Sequence, residues 1–410
     1  MTTDPKHSIS PATKQHLETV KKFSAHNYKP LEVVIARAEG PYVWDVDGIR
    51  YFDCLSAYSS LNQGHRHPKI ISALKEQADK VTLTSRAFHN DKMGEFLKLL
   101  CNLTDSERAL PMNTGAEAVE TALKAARMWG YKVKKIQENK AEIIVASENF
   151  HGRTITIISF SDEPSYRDHF GPFTPGFKIS TYGDASSVAA LINTNTVAVL
   201  VEPIQGESGV QIPEADYLSK LQDLCKKNNM LLIVDEIQSG LGRTGKWFGY
   251  QHSPNVKPDL MILGKALGGG VYPVSAVVGR DEVLGLFTPG IHGSTFGGNP
   301  LGSAVGMASL EVLRDGLLEN CIKLSPIFRK ELEQLHHDSP HVSRLRVLGL
   351  WAGIDIKPES GSARFYCEKL LQHGLLAKDT RSETIRLAPP LMISEAQLKD
   401  IIATLRKVLC

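Results

Sequence analysis

Asp259-Leu260-Met261-Ile262-Leu263-Gly264-Lys265-Ala266-Leu267-Gly268-Gly269-Gly270 sets one lysine between an apolar run and a cluster of glycines. The run is short and continuous, as in a strand buried on both faces. A lysine ending such a strand is costly as an ammonium, because desolvation favours the neutral, nucleophilic amine. That amine can form a Schiff base with an aldehyde, and the glycines allow close approach of backbone to a ligand. The same residues also suit a surface lysine in a flexible turn, so the flanking chain has to decide.

Working outward, short apolar, β-branched runs recur at 141–146, 154–160, 197–202, 231–235 and 260–264. Helical patterns at 116–129 and 217–228 lie between them, and the alternation predicts an α/β fold with a mostly parallel, doubly wound sheet flanked by helices. This large domain is expected over 55–305. The segment 1–54 reads as a polar helix at 12–26 followed by an antiparallel meander at 31–36, 42–46 and 51–54, with turns at Gly40-Pro41 and Asp47-Gly48. Residues 306–410 read as a smaller α+β domain, with a helix over 302–314 and strands at 348–356 and 384–387, to which the N-terminal segment attaches.

The chain has 410 residues, 42% hydrophobic and 22% charged, so a large core is available. A net charge of +2 gives no case for nucleic acid or an anionic membrane as partner. Cys54, Cys101, Cys225, Cys321, Cys367 and Cys410 show no CxxC spacing, hence neither a zinc site nor a disulfide framework. The start, Met1-Thr2-Thr3-Asp4-Pro5-Lys6-His7, reads as neither a secretory signal nor a transit peptide. No apolar run approaches membrane-spanning length, and a cytoplasmic protein is expected.

Several short segments carry chemistry, each with a plain alternative. Asn113-Thr114-Gly115-Ala116-Glu117-Ala118 opens a helix whose free N–H groups suit a phosphate, or are simply capped. Asp235 ends an apolar strand, where sites of open α/β sheets lie; it could hold a pyridine nitrogen protonated, cap a helix or bind a metal. In Asn149-Phe150-His151-Gly152-Arg153 an aromatic could stack on a planar ring and an arginine grip a carboxylate. Gly240-Leu241-Gly242-Arg243-Thr244-Gly245 matches GxGxxG, but four residues separate it from the strand and no amphipathic helix follows. His65-Arg66-His67 lacks further metal ligands nearby.

Taken in order, 113–118, Phe150-His151-Gly152-Arg153, Val201-Glu202-Pro203-Ile204-Gln205-Gly206-Glu207, 234–245, 264–270 and 292–300 resemble the fold-type I, pyridoxal-phosphate-dependent aminotransferases of class III. The resemblance spans about 28–386 and implies pyridoxal 5'-phosphate as cofactor. It makes Lys265 the cofactor-bearing lysine and proton-transfer base, pairs Asp235 with the ring nitrogen, and puts Gln238 on the phenolic oxygen. Phe150 would stack on the ring, and Gly115 and Ala116 would bind the phosphate through backbone N–H groups. Ser294 and Thr295 would reach that phosphate from a partner subunit, which implies a homodimer with shared sites.

Within the class, Asn27-Tyr28-Lys29-Pro30, Ser56-Ala57-Tyr58-Ser59, Asn62-Gln63-Gly64-His65, Arg153, Glu207 and 385–390 resemble the members that act on ornithine. The implied reaction moves the δ-amino group of L-ornithine to 2-oxoglutarate, giving glutamate 5-semialdehyde, which cyclises to pyrroline-5-carboxylate, and glutamate. Arg153 would hold the α-carboxylate, Tyr28 the α-amino group, and Tyr58 would select against acylated amines. Arg386 would take the second carboxylate of 2-oxoglutarate, and Glu207 would neutralise it when ornithine is bound. Ser208 follows Glu207 where a small apolar residue is common in the family. Competing readings are another ω-aminotransferase acting on N-acetylornithine or 4-aminobutyrate, a nicotinamide dehydrogenase, and a non-catalytic binding protein.

Overall fold

The computed structural model describes residues 9–410, so the leader reading of residues 1–7 lies outside the described residues. Seven strands form the central sheet, in the order Arg108–Met112, Ser275–Gly279, Leu260–Leu263, Leu231–Asp235, Thr196–Val201, Glu142–Ala146 and Phe177–Ser180. The last five run parallel, and Ser275–Gly279 is antiparallel to both of its neighbours. Thr196–Val201, Leu231–Asp235 and Leu260–Leu263 are buried at every residue, which is why they read as unbroken apolar runs. Their carboxyl ends deliver Glu202, Asp235 and Lys265 to one edge of the sheet.

The helix Gly115–Lys132 begins with a capping box: Glu117 N donates to Thr114 Oγ1 at 3.2 Å, and Thr114 N donates to Glu117 Oε2 at 2.9 Å. Val119, Ala122, Leu123 and Ala126 recur at helical spacing and are buried against the sheet. That packing fixes the start of the helix beside the ends of Leu260–Leu263 and Ser275–Gly279. The helix Tyr217–Lys227 buries Leu218, Leu221 and Cys225 in the core on the other side.

Residues 154–160 hold a short helical turn, Ile155–Ile158, rather than a strand, and the edge position is filled by Phe177–Ser180. Thr154 caps the turn, its Oγ1 accepting from Ile157 N at 3.3 Å, and Ile157, Ile158 and Phe160 are buried. A short apolar run suits either geometry, and here the cap decides.

The meander is present as Ile35–Glu39, Tyr42–Asp45 and Arg50–Asp53, and Leu375–Leu376 adds a fourth, parallel strand. A separate four-stranded sheet, in the order Val342–Leu348, Trp351–Ile356, Thr384–Leu387 and Lys378–Thr380, is antiparallel throughout. The stretch read as a strand at 348–356 is therefore a hairpin corner followed by a strand. Gly349 turns it with φ of 63°, and a Cβ there would lie 2.4 Å from the Arg243 carbonyl oxygen. Pro300–Val312, capped by Asn299, leads through a wide turn into the long helix Leu318–Asp338. No helix among the described residues is long and apolar enough to cross a membrane.

Candidate active site

Asp235 sits at the end of its strand, 3% exposed, with both oxygens held. Oδ1 accepts from Ile237 N at 3.0 Å, and Oδ2 lies 2.7 Å from His151 Nδ1. Burial opposes a charge on His151, but the Asp235 carboxylate outweighs it and raises the imidazole pKa. The other ring nitrogen, Nε2, is buried without a partner among the described residues. Beside them Glu202 is pushed up to about 7 by burial, and its Oε2 accepts from Phe150 N at 3.0 Å. The motifs that contain His151 and Glu202 assign these two no role; their signal is position, each beyond the end of a buried strand.

Lys265 opens a single turn, Lys265–Gly268, directly beyond Leu263, with φ of 48°. A non-glycine residue in that region costs roughly 1–2 kcal/mol, a cost met at functional sites when the surrounding structure enforces it. Desolvation lowers its pKa to about 8 and the charge of Arg386 acts in the same sense, against the attraction of Glu207, Asp235 and Glu202. A hollow of about 440 Å³ joins Lys265 to Asn113, Thr114 and Gly115. Gly115 has no room for a side chain: a Cβ would lie 2.9 Å from Ile237 Cδ1. Ser294 Oγ accepts from Asn113 Nδ2 of the same chain at 2.8 Å, and Thr295 is exposed.

Arg386 is 1% exposed. Its Nη1 donates to Glu207 Oε1 at 2.8 Å and its Nη2 to Gln238 Oε1 at 2.7 Å, while Gln238 Nε2 donates to Glu207 Oε1 at 3.3 Å. The guanidinium lies 5.5 Å from the Tyr58 ring and 5.3 Å from Trp351. Burial would raise the Glu207 pKa, but Arg386 holds it below the usual carboxylate value. Gly206 makes the triangle possible, since a Cβ there would meet Gln238 at 2.3 Å. Arg153 is exposed and stacks on Tyr166, 3.6 Å from the ring centroid. With Tyr28 and Tyr58 it borders a cavity of about 1270 Å³. Tyr28 is 79% exposed, and Arg364 Nη2 donates to the neighbouring Pro30 carbonyl at 2.7 Å. Tyr166, a residue with no sequence signal, reaches the site only through the turn that follows Ile155–Ile158.

The family model for class III aminotransferases matches residues 23–409. The chain belongs to the class III aminotransferases. Among these, it is 55% identical over 394 residues to the ornithine aminotransferase of Brevibacillus brevis, covering 96% of this chain and 97% of that one. The ornithine aminotransferase structure from Toxoplasma gondii ME49 superposes with a TM-score of 0.94 at 41% identity, over 97% of this chain and 94% of that one. An acetylornithine aminotransferase structure from Elizabethkingia anophelis gives a TM-score of 0.89 at 50% identity, over 97% and 98%.

The residues of this aminotransferase fit pyridoxal 5'-phosphate. The site holds a buried carboxylate that can keep a ring nitrogen protonated, a lysine shifted towards its neutral form that can bond an aldehyde, and a helix start at Gly115 with no room for a side chain. The GxGxxG segment serves the fold instead. Arg243 is fully buried, and its guanidinium donates to Leu350 O, Pro389 O and Asn62 Oδ1 at 3.0, 2.6 and 2.6 Å, tying three segments together.

Proposed function

We propose that this chain transfers the δ-amino group of L-ornithine to 2-oxoglutarate, using pyridoxal 5'-phosphate held by Lys265, Asp235, Gln238, Phe150, Gly115 and Ala116. The observation that carries the reading is the unequal state of the two arginines: Arg386 is already neutralised by Glu207, and Arg153 is not. A donor with one carboxylate and a cationic far end needs that asymmetry. Arg153 takes the α-carboxylate, Tyr28 meets the α-amino group, and Glu207 keeps Arg386 from repelling the rest. The dicarboxylate acceptor needs both arginines, so Glu207 swings away from Arg386 in the second half-reaction.

When bound, the cofactor supplies an aldehyde for the amino group and an electron-withdrawing ring. Asp235, its Oδ2 fixed by His151, would hold a proton on the ring nitrogen. With its pKa near 8, Lys265 Nζ is neutral in a useful fraction of molecules and moves the proton from the amine-bearing carbon of the substrate. Tyr58 narrows the cavity beside Arg386, which disfavours N-acylated amines.

The exposed Thr295, Phe296 and Phe88 support a homodimer in which a partner covers this face and Ser294 and Thr295 serve the neighbouring phosphate. Six free thiols support a reducing, cytoplasmic setting. The division 1–54, 55–305 and 306–410 is supported by the separate sheets, with Leu375–Leu376 tying the meander to the C-terminal part.

The test is the visible absorbance of the purified holoenzyme. L-Ornithine added without a keto acid should bleach the cofactor band, and 2-oxoglutarate should restore it, while N-acetylornithine and 4-aminobutyrate leave it nearly intact. Bleaching by either of those two instead would overturn the substrate assignment. No band after addition of pyridoxal phosphate would overturn the cofactor assignment.

A further inference from the structure

The segment that presents Tyr58 has a backbone no simple loop requires. Ser56, Ala57, Tyr58 and Ser59 have φ of 49, 44, 58 and 70°, so consecutive L-residues all lie in the left-handed region. None is a glycine, asparagine or aspartate, the residues that tolerate it. Such a turn persists only where its surroundings hold it.

The holds are visible. Asp53 Oδ1 accepts from Leu55 N and from Ser56 N, each at 2.9 Å. Ser56 Oγ donates to the Ala388 carbonyl at 2.6 Å, just beyond Arg386. The turn closes on itself through Tyr58 N to Leu55 O at 3.1 Å and Leu61 N to Ser56 O at 3.0 Å. The second oxygen of Asp53 lies 2.8 Å from His65 Nε2. His65 is anchored in turn, because its backbone and that of Gly40 exchange hydrogen bonds of 2.8 and 3.0 Å. Asp53 and His65 also border the cavity that Tyr58 lines.

We propose that Asp53 and His65 are positioning residues for substrate selection: the carboxylate, aimed by His65, latches the left-handed turn that sets Tyr58 against Arg386. The proposal deepens the reading of Tyr58 as the selecting wall and rests on it. Without the carboxylate, the amides of Leu55 and Ser56 lose their acceptor, and the chain relaxes towards right-handed or extended backbone. Tyr58 then leaves its place beside Arg386, and the cavity admits donors it now excludes. Asp53 and His65 make no hydrogen bond to Lys265 or Asp235, so the chemical step itself is spared.

The experiment compares wild type, His65→Ala, His65→Gln and Asp53→Ala as full-length holoenzymes. A hydrogen bond to a charged group sets the scale, so His65→Ala should raise KM for ornithine about tenfold, with kcat within about threefold. The preference for ornithine over N-acetylornithine in kcat/KM should narrow by a similar factor. His65→Gln, whose amide can still donate to Asp53, should recover most of both. Hydrogen exchange of the Leu55 and Ser56 amides should quicken in His65→Ala while those of Leu231–Asp235 stay slow. Asp53→Ala should show the larger effect; if it fails to fold, the two His65 variants decide.

Unchanged selectivity with unchanged exchange would overturn the latch, as would an equal loss for every donor together with loss of cofactor. If wild type does not use ornithine but exchange at Leu55 and Ser56 responds as stated, the substrate reading falls and the latch stands.

Discussion

Arg386 is buried between Tyr58 and Trp351 and gives one nitrogen to Glu207 and another to Gln238, whereas Arg153 is exposed, rests on Tyr166 and has no acidic partner among the described residues. A buried guanidinium without compensation would be strongly destabilising, so Arg386 carries its own counter-charge. On the proposed reading, its charge becomes available when Glu207 leaves. Arg153 meets water, pays little desolvation, and can grip a carboxylate at once. This difference is what the proposed function needs to take a monocarboxylate donor and a dicarboxylate acceptor in one cavity.

The contrast can be broken most forcefully at Arg153. Replacing a bidentate charged grip should cost about a hundredfold in kcat/KM, so Arg153→Gln should slow both half-reactions alike in stopped-flow traces. A loss confined to one half-reaction would show that Arg153 does not hold a carboxylate common to both. Glu207→Ala comes next. A charge-assisted pair is worth roughly 1.5–3 kcal/mol, so ornithine turnover should fall by about one to two decades while glutamate turnover changes much less. Equal losses would erase the proposed difference between the arginines.

A smaller effect is expected at Tyr166. Its cation–π contact with Arg153 is worth about 0.5–1 kcal/mol, so Tyr166→Leu should raise KM for both carboxylate substrates roughly two- to fivefold. Unchanged KM would mean that the ring does not orient Arg153. The smallest effect concerns stability. Arg386 holds Glu207 below its unfolded value of 4.5, so the contribution is present above that pH and lost as pH falls through the lower folded value. Glu207→Gln should therefore flatten the acid limb of Tm against pH relative to wild type; an unaltered acid limb would contradict the pairing.

Much of the large sheet was legible because strands buried on both faces carry their own signature. Arg108–Met112 and Phe177–Ser180 are less legible because they form the sheet edges and are only partly buried, and Ser275–Gly279, though buried at every residue, is bounded by Ser275 and Gly279 and offers only three apolar residues. The run at 154–160 was read with the wrong period because its apolar residues satisfy a helical turn as well as a strand. In the site, Lys265 and Asp235 were legible as charged residues closing apolar strands. Tyr166 and Asp53 were not, and His65 was quoted only as part of a motif, because what matters is what they touch: Arg153 for Tyr166, the amides of a left-handed turn for Asp53, and Asp53 for His65.

By itself the sequence determined the alternation of strands and helices, the ends of strands at which charged residues emerge, and the order of motifs that marks the class III aminotransferases. These are local properties, written in periodicity and in neighbouring residues. Only the tertiary structure decided that His151 meets Asp235 across 84 positions and that Arg386 meets Glu207 across 179. It also decided that Tyr58 stands in a left-handed turn, and that one arginine is spoken for while the other is free. Such pairings arise because packing brings distant segments together at the sheet's carboxyl edge, where burial makes each unpaired charge expensive.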